Sequence, residues 1–212
     1  KYYLSSISSV LTSIGININT IPVMDLLQKK THKILLNRCF SDKNNTVKKL
    51  GNICIKILKD HKIGSVTKHI PGHGNTNQDS HKKMPIVNEG VKKLISKDFL
   101  LFSKINSHFV MTAHVLYKKI DPINVATQSE IIIKKIIRKK LKYNGLIISD
   151  DICMKALKGS LPVKAIKSYN AGCNLILYCG GKIKESKAIL KEFGKFDTFT
   201  EKKTKQFYQF LR

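Results

Sequence analysis

The sequence predicts an α/β fold with a parallel sheet that is buried on both faces. Three observations predict it: short apolar or β-branched segments recur along the chain, longer amphipathic segments separate them, and long polar connections follow two of the apolar segments. The chain has 212 residues, of which 42% are hydrophobic, so it can build a sizeable core as one domain. It contains no apolar run of about 18 residues, so we expect no membrane-spanning helix.

Five segments have the composition of strands. They are residues 14–23, 65–70, 109–113, 145–149 and 174–178. The first is rich in β-branched residues, the second is stopped by Pro71-Gly72, and the later ones are continuous apolar runs. Continuous apolar strands separated by helices indicate parallel pairing.

Six segments between and after the strands have helical periodicity. They are residues 43–61, 89–105, 127–142, 162–172, 182–194 and 199–211. In the first of them, apolar residues such as Val47, Leu50 and Leu58 recur at helical spacing. The alternation gives about five βα units in one domain spanning 1–212, with no interdomain linker.

Two connections, residues 24–42 and 71–88, are long and polar. Most loops in α/β domains have about 2–6 residues, and longer ones are often functional. Both follow the carboxyl end of a predicted strand, where ligands bind in parallel α/β proteins. We therefore predict the functional site there.

The charge balance is strongly basic, with 39 Lys and Arg against 14 Asp and Glu, a net charge of +25. Only three basic residues are Arg, the side chain that nucleic-acid readers favour. Lys, Ile and Asn are abundant together, and all three have AT-rich codons. An AT-rich base composition is therefore the favoured cause of the lysine excess. We expect lysines on every solvent-facing helix surface, no specific nucleic-acid partner, and only weak, salt-sensitive DNA binding. A basic polyanion-binding protein remains the less favoured alternative.

The chain has five cysteines, an odd number, and no two of them are spaced as in a CxxC motif. They are typical of small buried hydrophobic residues in a reducing compartment. The amino terminus lacks the pattern of a secretory signal, so we expect a cytoplasmic protein.

Two segments carry candidate chemistry. Lys68-His69-Ile70-Pro71-Gly72-His73-Gly74 continues to Asp79-Ser80-His81, which places three His, one Asp and one Lys in 14 residues. A zinc site is one interpretation, but the spacing matches no familiar zinc motif, and we predict no metal. The alternative without a function is a solvated polar loop.

The second segment, Ile147-Ile148-Ser149-Asp150-Asp151, ends a strand with two carboxylates. The alternative without a catalytic function is that an Asp caps the amino terminus of a helix.

These segments resemble the bacterial β-N-acetylglucosaminidases of glycoside hydrolase family 3, in the single-domain branch that recycles muropeptides. Three further segments carry the resemblance: Pro22-Val23-Met24-Asp25, Arg38-Cys39-Phe40, and Met111-Thr112-Ala113-His114 followed by Asp121-Pro122. The motifs occur in the family's order from about residue 10 to about residue 180, with Ile70 where the family has Phe.

The resemblance implies a retaining exo-β-N-acetylglucosaminidase without a cofactor, acting on β-linked N-acetylglucosaminides from peptidoglycan turnover. It implies Asp150 as the nucleophile, His81 as the general acid/base, and Asp79 as the partner that orients His81. It also assigns four residues to substrate binding. These are Arg38, Lys68, His69 and His114. For His114 a structural hydrogen bond is the equal alternative, and we expect structural roles for Asp25, His73 and Asp151.

The family's fold is a closed eight-unit TIM (β/α)8 barrel, whereas five units are found here. The resemblance therefore implies an incomplete barrel, truncated at its amino end, in which the family's Asp-Gln-Glu-Gly-Gly motif is absent from the 212 residues. A truncated record, a split gene with a separate N-terminal chain, and a decaying, catalytically silent remnant are the alternatives. We expect the isolated chain to be weakly active or inactive.

Overall fold

The computed structural model describes all residues, 1–212. The α-helices are α1 (Tyr2–Ser13), α2 (Lys33–Leu36), α3 (Asn44–Asp60), α4 (Val91–Ser96), α5 (Leu161–Ala171), α6 (Ile183–Leu190) and α7 (Thr198–Leu211). The strands are β1 (Ile18–Asn19), β2 (Gly64–Ile70), β3 (Ile86–Val87), β4 (Phe109–Thr112), β5 (Leu116–Tyr117) and β6 (Leu146–Ile148). A π-helix spans Ile131–Lys140, and 3-10 turns span Phe99–Phe102 and Ala126–Gln128. None of the helices is both long and apolar enough to cross a membrane.

The main sheet has four strands in the order β1-β2-β4-β6, and every pair is parallel. The predicted parallel pairing of segments 65–70, 109–113 and 145–149 is confirmed. The predicted fifth segment, 174–178, continues the sheet only through an isolated parallel bridge between Ile148 and Leu175. The free edges of the sheet are therefore β1 on one side and this segment on the other.

The first predicted strand, 14–23, is too long. Gly15 turns the chain at φ +79°, and only Ile18–Asn19 pairs as a strand, with a further bridge from Val23 to Lys68. Pro22 interrupts the pairing because it has no backbone N–H to donate. A second, two-stranded parallel pair, β3 with β5, joins the connections that follow β2 and β4. The sequence analysis did not predict it.

The sheet is buried on both faces, as predicted. On one face Ile70, Val110 and Ile147 join the largest core cluster, which the helices cover. On the other face Val66, Phe109, Met111 and Leu146 pack with Phe207 of α7. The two faces alternate along β4 because successive side chains point to opposite sides. In β2 the register shifts between Lys68 and Ile70, which places Ile70 on the face opposite to Val66.

Helix α7 crosses the second face of the sheet near the amino ends of the strands. At its beginning Asn174 Nδ2 donates to Thr200 Oγ1 at 2.8 Å, and at its end Lys62 Nζ donates to the Phe210 carbonyl oxygen at 3.1 Å. In between, the Phe207 ring lies 4.8 Å from that of Phe109. The helix thus connects the last sheet segment to the start of β2.

The predicted helices are found with changed boundaries. Residues 89–105 divide into α4 and a 3-10 turn, and residues 127–142 contain a π-helix in place of an α-helix. The sequence analysis missed α1, because its apolar residues do not mark a core-facing stripe: Tyr2, Tyr3 and Val10 are exposed and only Ser8 is buried.

Three lysines adopt the left-handed backbone region at the ends of helical segments: Lys62 (φ 58°), Lys104 (φ 56°) and Lys142 (φ 55°). Glycine is favoured there because it has no Cβ to collide with the neighbouring carbonyl. We expect Lys142→Gly to raise the free energy of unfolding by about 1 kcal/mol, which corresponds to about 2–4 °C in Tm. Lys139→Gly, inside the preceding helix, should lower stability by about 1 kcal/mol. Equal destabilisation by both substitutions in thermal unfolding would contradict the argument.

Candidate active site

A cavity of about 540 Å³ opens at the carboxyl end of the main sheet. Five of the residues that the sequence analysis assigned to the site line it: Arg38, Lys68, His69, His81 and Asp150. Lys68 and His69 lie in β2, and Arg38, His81 and Asp150 lie in the connections that follow β1, β2 and β6. They meet because the carboxyl ends of parallel strands lie at one edge of the sheet. The cavity therefore lies at the carboxyl ends of the strands, where the sequence analysis predicts the functional site.

The carboxyl end of β2 supplies Lys68 and His69. The ring of His69 is held by the fully buried Asp25, with His69 Nδ1 and Asp25 Oδ2 2.6 Å apart. Asp25 Oδ1 also accepts the backbone N–H of His73 at 2.6 Å. Burial alone would raise the pKa of Asp25, but the charge of His69 and these hydrogen bonds lower it overall. Asp25 thus has the structural role that we expected.

The cationic side of the cavity is formed by Lys68 and Arg38. Burial and the nearby Arg38 lower the pKa of Lys68, while Asp150 and Asp25 act in the opposite direction. Arg38 is exposed and follows the short helix α2. These side chains provide donors that suit hydroxyl and amide oxygens of a sugar.

Asp150 follows β6 by two residues and is 8% exposed. Its Oδ1 accepts the backbone N–H of Asp151 at 2.8 Å, and its Oδ2 makes no hydrogen bond within the chain. The neighbouring Asp151 instead accepts the backbone N–H groups of Cys153 at 3.0 Å and Cys179 at 3.1 Å through Oδ1. Asp151 therefore ties two loops together, whereas Asp150 presents a free carboxylate oxygen.

The long loop after β2 brings His81 to the cavity, and Asp79 lies beside His81 outside the cavity lining. His81 Nδ1 lies 2.9 Å from Asp79 Oδ1, which also accepts the His81 backbone N–H at 2.9 Å. Desolvation alone would raise the pKa of Asp79, but these two hydrogen bonds and the nearby His81 and His32 together lower it overall. The His81 side chain is 55% exposed, so the second ring nitrogen is open to a substrate.

Contacts with its neighbours fix this loop on both sides. Thr31 Oγ1 donates to the Gly74 carbonyl at 2.7 Å, and the backbone N–H of His32 donates to the Thr76 carbonyl at 2.9 Å. On the other side the Ala156 N–H donates to the Ser80 carbonyl at 3.2 Å. The two long polar connections of the sequence analysis therefore pack against each other, and the loop of His81 is joined to the loop that follows Asp150.

Gly74 is required by this packing, since a Cβ there would overlap the Leu26 carbonyl oxygen. We expect Gly74→Ala to lower the free energy of unfolding by about 2–3 kcal/mol. In an active form of the protein the displaced loop should lower kcat about 10²-fold, because it carries His81, which the resemblance implies as the general acid/base, and small displacements of such groups have large effects. Gly90→Ala is the matched control, since nothing lies within 4 Å of its Cβ position. An unchanged Tm and kcat for Gly74→Ala would show that the close packing is wrong.

His114 requires a correction, because the structure does not place it on the cavity wall. The ring is completely buried, with Nδ1 2.7 Å from Thr127 Oγ1 and Nε2 3.1 Å from the Asp151 carbonyl oxygen. Both ring nitrogens are thus engaged within the protein, and none is left for a substrate. Burial lowers the pKa of His114, so the ring is neutral and supports the Asp151 turn. The geometry therefore supports a structural hydrogen-bonding role for His114 and not a role in substrate binding.

His73 lines the cavity beside His69. Its ring is buried and packs edge-on against His69, with the ring centroids 5.8 Å apart. Burial and the charge of His69 lower the pKa of His73 to about 4. The ring is therefore neutral near pH 7, which agrees with the expected structural role.

The sequence analysis missed several residues that line the cavity. These are Thr20, Ile34, Leu35, Ser80, Met111, Met154, Leu177 and Cys179. Thr20 follows β1 directly, so the rule that sites gather at carboxyl ends of strands was a usable signal for it. Met154 and Cys179 carry no such signal, because loop packing alone brings them to the cavity. No group of three His, Cys, Asp or Glu side chains is positioned to hold a metal ion.

Comparison with known proteins gives consistent results. The chain matches the family described as "Glycosyl hydrolase family 3 N terminal domain" over residues 5–206. It is 32% identical over 190 residues to the "Beta-hexosaminidase A" of Pseudoalteromonas piscicida, which covers 82% of this chain and 32% of that protein. It is 30% identical over 178 residues to the "Beta-hexosaminidase" of Hydrogenovibrio crunogenus, with coverage of 82% and 49%. The chain thus spans about half or less of the length of these relatives.

Solved structures resemble the chain along almost its whole length. NagZ from Neisseria gonorrhoeae in complex with N-trifluoroacetyl-D-glucosamine gives a TM-score of 0.84 at 28% identity, covering 97% of this chain and 59% of that one. A glycoside hydrolase family 3 beta-N-acetylglucosaminidase from Paenibacillus sp. gives a TM-score of 0.88 at 26% identity, with coverage of 98% and 42%. These similarities confirm the predicted fold class, part of a TIM-type α/β barrel. The chain belongs to glycosyl hydrolase family 3, as a member of its N-terminal-domain family.

Proposed function

We propose that this chain carries the catalytic groups of a retaining exo-β-N-acetylglucosaminidase that needs no cofactor. The observation that supports it most is the shared cavity: a carboxylate with a free oxygen, Asp150, and a carboxylate-bound imidazole, His81, both line it. Relatives named beta-hexosaminidase and a structure with an N-acylated glucosamine analogue support the substrate class.

In the first step, Asp150 Oδ2 attacks the anomeric carbon and forms a glycosyl ester while the glycosidic C–O bond breaks. The departing oxygen takes the proton from Nε2 of the His81 imidazolium. Asp79 holds Nδ1–H and stabilises the imidazolium before the transfer. In the second step, neutral His81 accepts a proton from water through Nε2, and the water oxygen replaces Asp150 on the sugar. Lys68, His69 and Arg38 hold the sugar hydroxyl and amide oxygens.

The active form has further parallel strands at the free edge of β1, supplied by the same polypeptide or by a separate chain. This part of the proposal is supported by the sheet, in which β1 pairs only with β2, and by the greater length of the relatives. The substrates are terminal β-linked N-acetylglucosaminides released in peptidoglycan turnover. The reaction takes place in the cytoplasm, a location that suits five free cysteines.

The test is hydrolysis of 4-nitrophenyl β-N-acetylglucosaminide, with proton NMR used to identify the first anomer released. Two forms are compared: the 212-residue chain, and the same chain fused behind the N-terminal barrel units of the Hydrogenovibrio crunogenus relative. We expect little turnover by the chain alone, restored turnover in the fusion, and release of the β-anomer. Initial release of the α-anomer would contradict the retaining mechanism. Inactivity of both folded forms would favour a catalytically silent remnant.

A further inference from the structure

A second cavity, of about 530 Å³, lies at the opposite end of the sheet from the candidate active site. Its wall contains the residues that immediately precede β4 and β6, together with parts of α3 and α7. Four lysines line it: Lys59, Lys104, Lys142 and Lys203. We call it the lysine cavity. It shares no residue with the cavity at the carboxyl end of the sheet.

The positive charge of the lysine cavity is not balanced by the protein. No carboxylate is among the lining residues, and none of the four lysines forms an ion pair within the chain. Other lysine-bearing cavities differ, since Asp42 and Glu89 line the one that contains Lys29 and Lys30. Four unpaired cations around one concavity create a positive potential that attracts anions.

Two of the four lysines are partly withdrawn from water. Lys59 and Lys203 are half-buried, and burial lowers the pKa of Lys59. The Lys203 ammonium lies 5.8 Å from the centroid of the Phe199 ring, and neither lysine has a carboxylate partner. A partly desolvated ammonium group without a counter-ion is unfavourable, and a bound anion would remove that cost.

The other two, Lys104 and Lys142, adopt the left-handed backbone region described above. Glycine or asparagine would relieve the strain at both positions, so the lysines there cost stability. Both residues lie at the mouth of the same cavity, where their ammonium groups can contact the same bound anion.

His108 forms part of the cavity wall between the lysines and α7. It packs against Phe109, Phe207 and Phe210, and its Nδ1 is buried without a hydrogen-bond partner. Burial and the charge of Lys59 lower the pKa of His108 to about 4, so the ring is neutral near pH 7. Its protonation would respond directly to an anion placed beside Lys59.

We propose that the lysine cavity binds a small anion with two or more phosphate groups, as in a free di- or triphosphate. Four ammonium groups exceed what a single phosphate can neutralise, and lysine is an effective point-charge partner of phosphate. The volume is within the range of small-molecule sites. The concave shape suits a short phosphate chain, and the lack of Arg among the lining residues argues against base recognition. This proposal does not depend on the proposed hydrolase function.

The test is isothermal titration of the 212-residue protein with inorganic tripolyphosphate at low and at moderate salt. The double variant Lys104→Gly/Lys142→Gly should bind at least tenfold more weakly, although its Tm should rise because the backbone strain is relieved. Lys184→Gln/Lys187→Gln removes the same charge from the exposed side of α6 and should change the affinity less than about twofold. NMR titration should show that the pKa of His108 rises when tripolyphosphate binds.

The outcomes separate the alternatives. Equal affinities for tripolyphosphate and a nucleoside triphosphate would identify a phosphate-chain site and support the proposal. A nucleoside triphosphate that binds tenfold more tightly than tripolyphosphate would show recognition of the nucleoside and would overturn it. Equal weakening by the two double variants would mean general charge attraction and overturn it. Tight binding of an oligonucleotide without binding of tripolyphosphate would overturn it as well.

Discussion

Asp150→Ala should abolish turnover, with kcat lowered by about 10⁴-fold or more in the active form. The substitution removes the atom that forms the bond to the sugar, and no neighbouring carboxylate replaces it. Asp151 does not substitute for it, because its carboxylate is engaged by the backbone N–H groups of Cys153 and Cys179. Release of 4-nitrophenol, measured at saturating substrate, gives the rate.

The matched control for this prediction is Asp151→Asn. It changes the charge at the adjacent position, but an amide oxygen still accepts both backbone hydrogen bonds, so we expect kcat within about tenfold of the parent. Thermal unfolding of Asp150→Ala should show a folded protein. Full activity of Asp150→Ala would mean that the nucleophile lies elsewhere and would remove the main support for the proposed mechanism.

His81→Ala should lower kcat by about 10²- to 10⁴-fold on a natural disaccharide, the usual contribution of a general acid/base. The loss in the first step should be much smaller for 4-nitrophenyl substrates, because a good leaving group needs little protonation. Asp79→Asn should have an intermediate effect, since His81 Nδ1 loses its charged partner. The measurement is kcat/KM across leaving groups of increasing acidity.

Lys82→Ala, next in the chain and exposed, is the control for His81 and should leave the rates unchanged. If His81→Ala lowered kcat/KM by the same factor for every leaving group, His81 would be a positioning residue and not the proton donor.

The sequence predicted the parallel pairing of the central strands because their apolar runs are continuous, and Pro71-Gly72 and Asp150-Asp151 mark the ends of two of them. It also predicted that Lys68, near the end of β2, and His81 and Asp150, which follow strands, lie at one edge of the sheet, where all three line one cavity. The sequence could not predict that the His114 ring faces away from the cavity. Whether a ring at a strand end faces a cavity or a neighbouring loop depends on the position of Thr127 and Asp151, which only the folded chain determines.

The outer elements were harder to predict for a different reason. Segments 14–23 and 174–178 have strand composition, yet the first pairs at only three positions and the second at one. Pairing at an edge depends on partners that the local sequence does not encode. Helix α1 lacks an apolar stripe that faces the core, so periodicity could not identify it.

The path of α7 has a consequence for synthesis on the ribosome. The Lys62 contact with the Phe210 carbonyl joins residues 148 positions apart, and Phe207 covers Val66 and Phe109 only after almost the whole chain exists. Until then the strands leave the exit tunnel with one apolar face exposed to water, a state prone to aggregation. A nascent chain arrested before residue 198 should therefore bind chaperones more than one arrested with residues 198–212 outside the exit tunnel.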